Sequence, residues 1–105
     1  MDDFYWGAET SQEFEIRDSD GIIYIIPEGY TLYAIIKETK FPNATELLKK
    51  DITSDQILRL YYADFANLKI NKSYWLELTL VKPSGEYISP LTQLQFNVIG
   101  VEYGR

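Results

Sequence analysis

Two pairs of acids are the first residues in this chain whose type and spacing could do chemistry. Glu13 with Glu15, and Glu77 with Glu86, offer the paired carboxylates that glycoside hydrolysis needs. All four fall on outward strand positions or in a turn, where acids are usually solvated, so neither pair is expected to be catalytic. Asp18, Asp20 and Gly21 match the opening of a calcium loop, but the remaining ligand positions are missing and the spacing runs into apolar residues. A hairpin turn is the expected reading there. The chain has no histidine and no cysteine, which rules out Ser-His nucleophilic catalysis and a zinc site of ordinary ligand type. Its glycines are scattered turn residues and form no phosphate-binding fingerprint. The expectation is a protein that is not an enzyme and that carries no cofactor or metal.

Aromatic residues are the other candidates, and their chemistry is contact. Phe4, Tyr5 and Trp6 stand consecutively near the start, where order needs something to hold it. Unless this arm docks on its own domain, it is suited to insert into a neighbouring subunit as an added strand or anchor. Tyr33, Ile35 and Trp75 are expected together on an outward sheet face, and an apolar cluster there marks an interaction surface unless a neighbouring segment covers it.

The elements that position these residues follow from periodicity and punctuation. Fifteen per cent of the 105 residues are aromatic, nine of them tyrosine, and such side chains suit half-buried pleated surfaces. The segment QEFEIR (12–17) alternates Phe14 and Ile16 against Glu13, Glu15 and Arg17. DSDG (18–21) is a turn, and IIYII (22–26) is expected as the next strand, ending at Pro27-Glu28-Gly29. YTLYAIIKE (30–38) places Leu32, Ala34 and Ile36 inward. Residues 39–55 are ambiguous between an irregular edge strand and a short helix at 43–50. ILRLYY (57–62) is a strand with Leu58, Leu60 and Tyr62 inward, and one helical turn is expected within 63–68. The clearest strand holds Tyr74, Leu76, Leu78 and Leu80 on one face and Trp75, Glu77, Thr79 and Val81 on the other. A turn at Lys82-Pro83-Ser84-Gly85-Glu86 follows, and the last strand turns Leu94, Phe96 and Val98 inward.

Short strands at intervals of roughly ten residues imply one all-β domain over 1–105, a single antiparallel sandwich of about seven strands with an N-terminal arm at 1–10. A chain of this size buries roughly 65% of its unfolded surface, enough to fold without staples. The net charge of −6 argues against nucleic acid as a partner. No run approaches the ~18 apolar residues of a membrane span, and MDDFYWGAE places acids where a signal peptide needs basic residues. Synthesis in a cytoplasm is expected, and the sequons Asn43-Ala44-Thr45 and Asn71-Lys72-Ser73 are read as chance.

Leu68, five intervening residues and Tyr74 leading into alternating leucines resemble the tyrosine corner of immunoglobulin-like and fibronectin-type sandwiches, where the hydroxyl returns to the backbone upstream. The resemblance extends over most of the chain outside 39–55. GAETSQEFEIRDSDG, TLYAIIK and NLKINKSYWLELTLVKPSGE are similar to small β-sandwich domains of tailed-phage virions: the N-terminal domain of the siphophage upper baseplate protein and immunoglobulin-like minor tail proteins. That resemblance implies a virion structural protein of a bacteriophage, in tail, baseplate, neck or capsid-associated position. Such a protein is made in the host cytoplasm and engages copies of itself or adjoining virion proteins. The competing expectation is a carbohydrate-binding module that uses exposed aromatics as sugar platforms.

Overall fold

The computed structural model describes residues 3–88 and 90–100, and these form an all-β domain. Its strands are β1 (Phe4–Tyr5), β2 (Thr10–Glu13), β3 (Thr31–Lys37), β4 (Glu46–Asp51), β5 (Ile57–Leu60), β6 (Lys72–Val81) and β7 (Thr92–Ile99). A 3-10 helix at Tyr62–Asn67 joins β5 to the loop before β6.

Five strands form one sheet in the order β1-β7-β6-β3-β4, and β2 pairs with β5 in a second. All pairings are antiparallel except β1 with β7, which is parallel and makes the large sheet mixed. The two sheets share one hydrophobic core. Leu32, Ala34, Ile36, Tyr74, Leu76, Leu78, Leu80, Phe96 and Val98 from the large sheet meet Phe14, Leu58, Leu60, Phe65 and Leu68. The inward faces of β3, β6 and β7 are therefore the ones that alternation of apolar residues predicts.

The Tyr74 latch is formed. Its phenol is buried, and the hydroxyl oxygen accepts the Lys69 N–H at 2.7 Å. Leu68, also buried, donates its N–H to the Phe65 carbonyl at 2.9 Å, so the 3-10 helix and the corner are closed together.

Three local expectations are corrected and one open choice is resolved. Residues 22–26 are not a strand: a single bridge, Arg17 to Ile23, joins the two arms of an irregular hairpin. The reason lies in its neighbours, because β2 ends at Glu13 and β5 begins at Ile57, which leaves no adjacent strand to continue the ladder. Alternation survives, with Ile16, Tyr24 and Ile26 packed on the core. The choice left open at 39–55 falls to the edge strand, since β4 pairs with β3 from Glu46 to Asp51. Its Lys49 and Lys50 occupy an edge of the kind that charge protects from further pairing. Tyr62 points outward and is 69% exposed, because the chain leaves strand geometry after Leu60 and enters the 3-10 helix. Within the expected arm at 1–10, Phe4–Tyr5 belong to the sheet as β1, and β2 already begins at Thr10.

Candidate functional site: a cleft on the outer face of the large sheet

β3 and β6 are neighbours, with Tyr33 opposite Thr79, Ile35 opposite Glu77 and Lys37 opposite Trp75. Tyr33, Ile35 and Trp75 thus share the outer face, as their alternation predicts, but they do not form a bare apolar patch. Ile35 is wholly buried, Tyr33 and Trp75 are half-buried, and Lys37, Glu77 and Thr79 stand among them. Each aromatic carries a lysine over its ring. Lys40 Nζ lies 5.6 Å from the Trp75 ring centre and Lys49 Nζ lies 4.3 Å from that of Tyr33.

Two segments wall this face and leave a cleft of about 560 Å³ between them. Lys40, Pro42 and Glu46 line one side, Tyr87, Ile88, Pro90 and Gln93 the other, and Ile35, Lys37, Glu77 and Thr79 make the floor. The second wall is positioned by the turn after β6, where Gly85 N–H donates to Lys82 C=O at 2.8 Å and Ile88 N–H returns to Leu80 C=O at 2.9 Å. Tyr87 is held from outside the cleft by Lys49, which donates a hydrogen bond to its hydroxyl while the ammonium sits 4.8 Å from that ring. The hydrogen bond to Tyr87 holds the Lys49 ammonium above its ordinary pKa.

The floor is a buried polar network. Lys37 Nζ lies 3.1 Å from Glu77 Oε2, with both side chains almost fully removed from solvent. Glu77 Oε1 accepts from Gln93 Nε2 at 2.9 Å, and the same amide donates to Lys40 C=O at 2.9 Å. Lys37 also donates to Pro42 C=O at 3.5 Å. These bonds tie strand, wall and floor together. The Thr79 hydroxyl, by contrast, is buried with no hydrogen-bond partner among the described residues. Burying charge is costly unless it is paired and hydrogen-bonded, which explains why Glu77 and Lys37 occur as a bonded pair.

The expectation of a solvated Glu77 is corrected here: the position is outward but covered by the two walls. Glu86 stays exposed, 3.5 Å from Lys82, so Glu77 and Glu86 do not share a site environment. Glu13 and Glu15 are exposed, and Glu15 is ion-paired with Arg17. Asp18 caps its own turn, its Oδ1 accepting the N–H groups of Asp20 at 2.9 Å and Ile22 at 3.0 Å, with Gly21 at φ +79°. That geometry is the hairpin turn.

The N-terminal arm docks on its own domain. Phe4 pairs with Val98, is buried, and has its ring centre 5.0 Å from that of Phe96. Trp6 donates its indole N–H to Leu68 C=O at 2.7 Å and meets Tyr62 edge to face at 5.5 Å. Only Tyr5 of the three remains exposed, so Phe4 and Trp6 are not free to anchor a neighbour in this fold.

Two groups of residues were not singled out by sequence reasoning. One is Lys37 and Thr79, which make the floor with Glu77, an acid considered above only as solvated; the signal was polar residues on the outer face of two otherwise apolar strands. The other is the hairpin tip, where Ile22, Ile23 and Ile25 are 64%, 54% and 82% exposed. Isoleucine at that exposure beside a capped turn is legible only once the strand assignment fails. No protein-family model and no curated protein matches this chain.

Proposed function

We propose that this chain is a non-enzymatic assembly protein of a bacteriophage virion, an immunoglobulin-like sandwich that works by protein–protein contact. Two sheets around one core and the Tyr74–Lys69 latch support the immunoglobulin-like reading. The virion setting rests on the resemblance of the segments quoted above. The observation that carries assembly is the hairpin at 17–26, whose Ile22, Ile23 and Ile25 project into solvent from a segment with a single bridge. Exposed β-branched side chains next to unpaired backbone offer both apolar area and ladder hydrogen bonds to a partner. The hairpin replaces the N-terminal arm as the contacting element, since that arm is engaged by its own domain.

A bare aromatic sugar platform is less well supported, because Tyr33 and Trp75 are half-buried beneath lysines.

Light scattering of the full chain beside a variant carrying Ile22→Thr, Ile23→Thr and Ile25→Thr tests the reading. Threonine keeps strand propensity and removes apolar area. The expected result is a closed oligomer for the parent and a folded monomer for the variant. Two monomers of equal stability would sink self-assembly through the hairpin.

A further inference from the structure

We propose that the cleft between β3, β6 and its two walls binds a neutral, hydroxyl-rich ligand, a mono- or oligosaccharide, as a second activity separate from hairpin-mediated assembly. The volume of about 560 Å³ lies inside the roughly 300–1,000 Å³ range of small-molecule sites. The lining is charge-balanced, Lys37 and Lys40 against Glu46 and Glu77. A carboxylate or phosphate entering it meets two glutamates, and a cation meets two lysines. A sugar carries no such penalty, because each hydroxyl both donates and accepts.

The floor offers groups of both kinds. Lys37 has three N–H donors and bonds Glu77 Oε2 and Pro42 C=O among the described residues, which leaves one donor. Gln93 spends its amide hydrogens on Lys40 C=O and Glu77 Oε1, which leaves its carbonyl oxygen to accept. Thr79 is 3% exposed and its hydroxyl is unpartnered, a state that buried polar atoms rarely occupy without a reason. Thr79 lines the cleft, so this unpartnered hydroxyl is the group assigned to meet a ligand hydroxyl. Ile88 and Pro90 supply apolar surface for the C–H face of a pyranose, since the Tyr87 ring already carries Lys49 at 4.8 Å. This site differs from an open aromatic platform, as it uses neither Trp75 nor the exposed face of Tyr33.

The test is an amide chemical-shift titration of the full chain, run in the isoleucine-to-threonine hairpin background if the parent proves oligomeric. The probes are glucose, N-acetylglucosamine and maltotriose, with glucuronate and glucosamine as charged analogues. The expected result is saturable shifts at Ile35, Lys37, Thr79 and Gln93 with at least one neutral sugar, and weaker ones with both charged analogues. Thr79→Val keeps shape and removes only the hydroxyl, and it is expected to weaken binding about tenfold, the loss of one hydrogen bond. The paired change Lys37→Met with Glu77→Leu keeps the floor filled and should abolish the shifts. Absence of cleft shifts with all three neutral sugars overturns the site. Preference for glucuronate overturns the ligand class, and shifts confined to Trp75 and Tyr33 move binding to the open face. Unchanged affinity in Thr79→Val removes the hydroxyl from the assignment. None of these readouts depends on whether the chain oligomerises.

Discussion

Tyr74 shows how one oxygen fixes a corner. Its hydroxyl accepts the Lys69 N–H at 2.7 Å while the ring fills the core beside Phe96. Tyr74→Phe keeps the ring and deletes the acceptor, so urea unfolding should report a loss of about 1–2 kcal/mol with an unchanged fold. Glu77 acts differently, because its removal strands a buried charge. Glu77→Ala should cost about 3–5 kcal/mol, whereas Lys37→Met with Glu77→Leu should recover most of that loss. The comparison of single and double variants in one set of denaturant melts checks the point. If the single change is silent, the pair is not energetically buried in solution. Leu68 and Tyr74 were legible as a corner because their spacing and the alternating leucines are local. Thr79 and Glu77 read as ordinary outward residues, since nothing in their own strand encodes the walls that cover them.

Among the elements, β1 is the least expected, a two-residue strand that runs parallel to β7 and closes one edge of the large sheet. Phe4 is buried there and Trp6 reaches back to Leu68 C=O, so this segment joins β7 to the corner. Phe4→Ala should therefore destabilise the domain by about 3 kcal/mol or more, seen as a lowered thermal midpoint. An arm that served only a neighbour would leave that midpoint unchanged and alter the mass in solution instead. The hairpin is expected to show the reverse pattern, with threonine at positions 22, 23 and 25 changing mass and leaving the midpoint alone. β4 illustrates why propensity was a weak guide: ELLKKD suits a helix, but the backbone edge of β3 was available and β4 pairs along it.

The whole molecule should lose stability on the acid side of neutrality. Asp51 is held below its ordinary pKa of 3.8, first by the Thr53 hydroxyl and then by the Thr53 N–H. Asp55 is lowered chiefly by its hydrogen bond with Arg59, and Glu38 by its hydrogen bond with Lys72. In each case the folded value lies below the unfolded one, so the stabilisation is present above the unfolded value. It is lost as pH falls through the folded value, because the unfolded chain binds the proton first. Thermal midpoints measured from pH 7 down to about 2 should fall below pH ~4.5, and Asp51→Asn should flatten part of that slope. All three acids are exposed, so the effect should shrink in high salt.

What the sequence determined by itself is what depends on near neighbours: the all-β class, the inward faces of β3, β6 and β7, the turns at 18–21 and 82–86, and the Tyr74 corner. Period-two alternation and turn-forming residues act within a few positions, so they can be read along the chain. Tertiary structure decided the rest. The loop after β3 and the turn after β6 met over the outer face, buried a Lys–Glu pair and left a cleft. The same packing drew the aromatic arm inward and left the 22–25 isoleucines outside. These outcomes depend on which distant segments compete for the same surface, and hydrophobic burial has no direction along the sequence to record that choice.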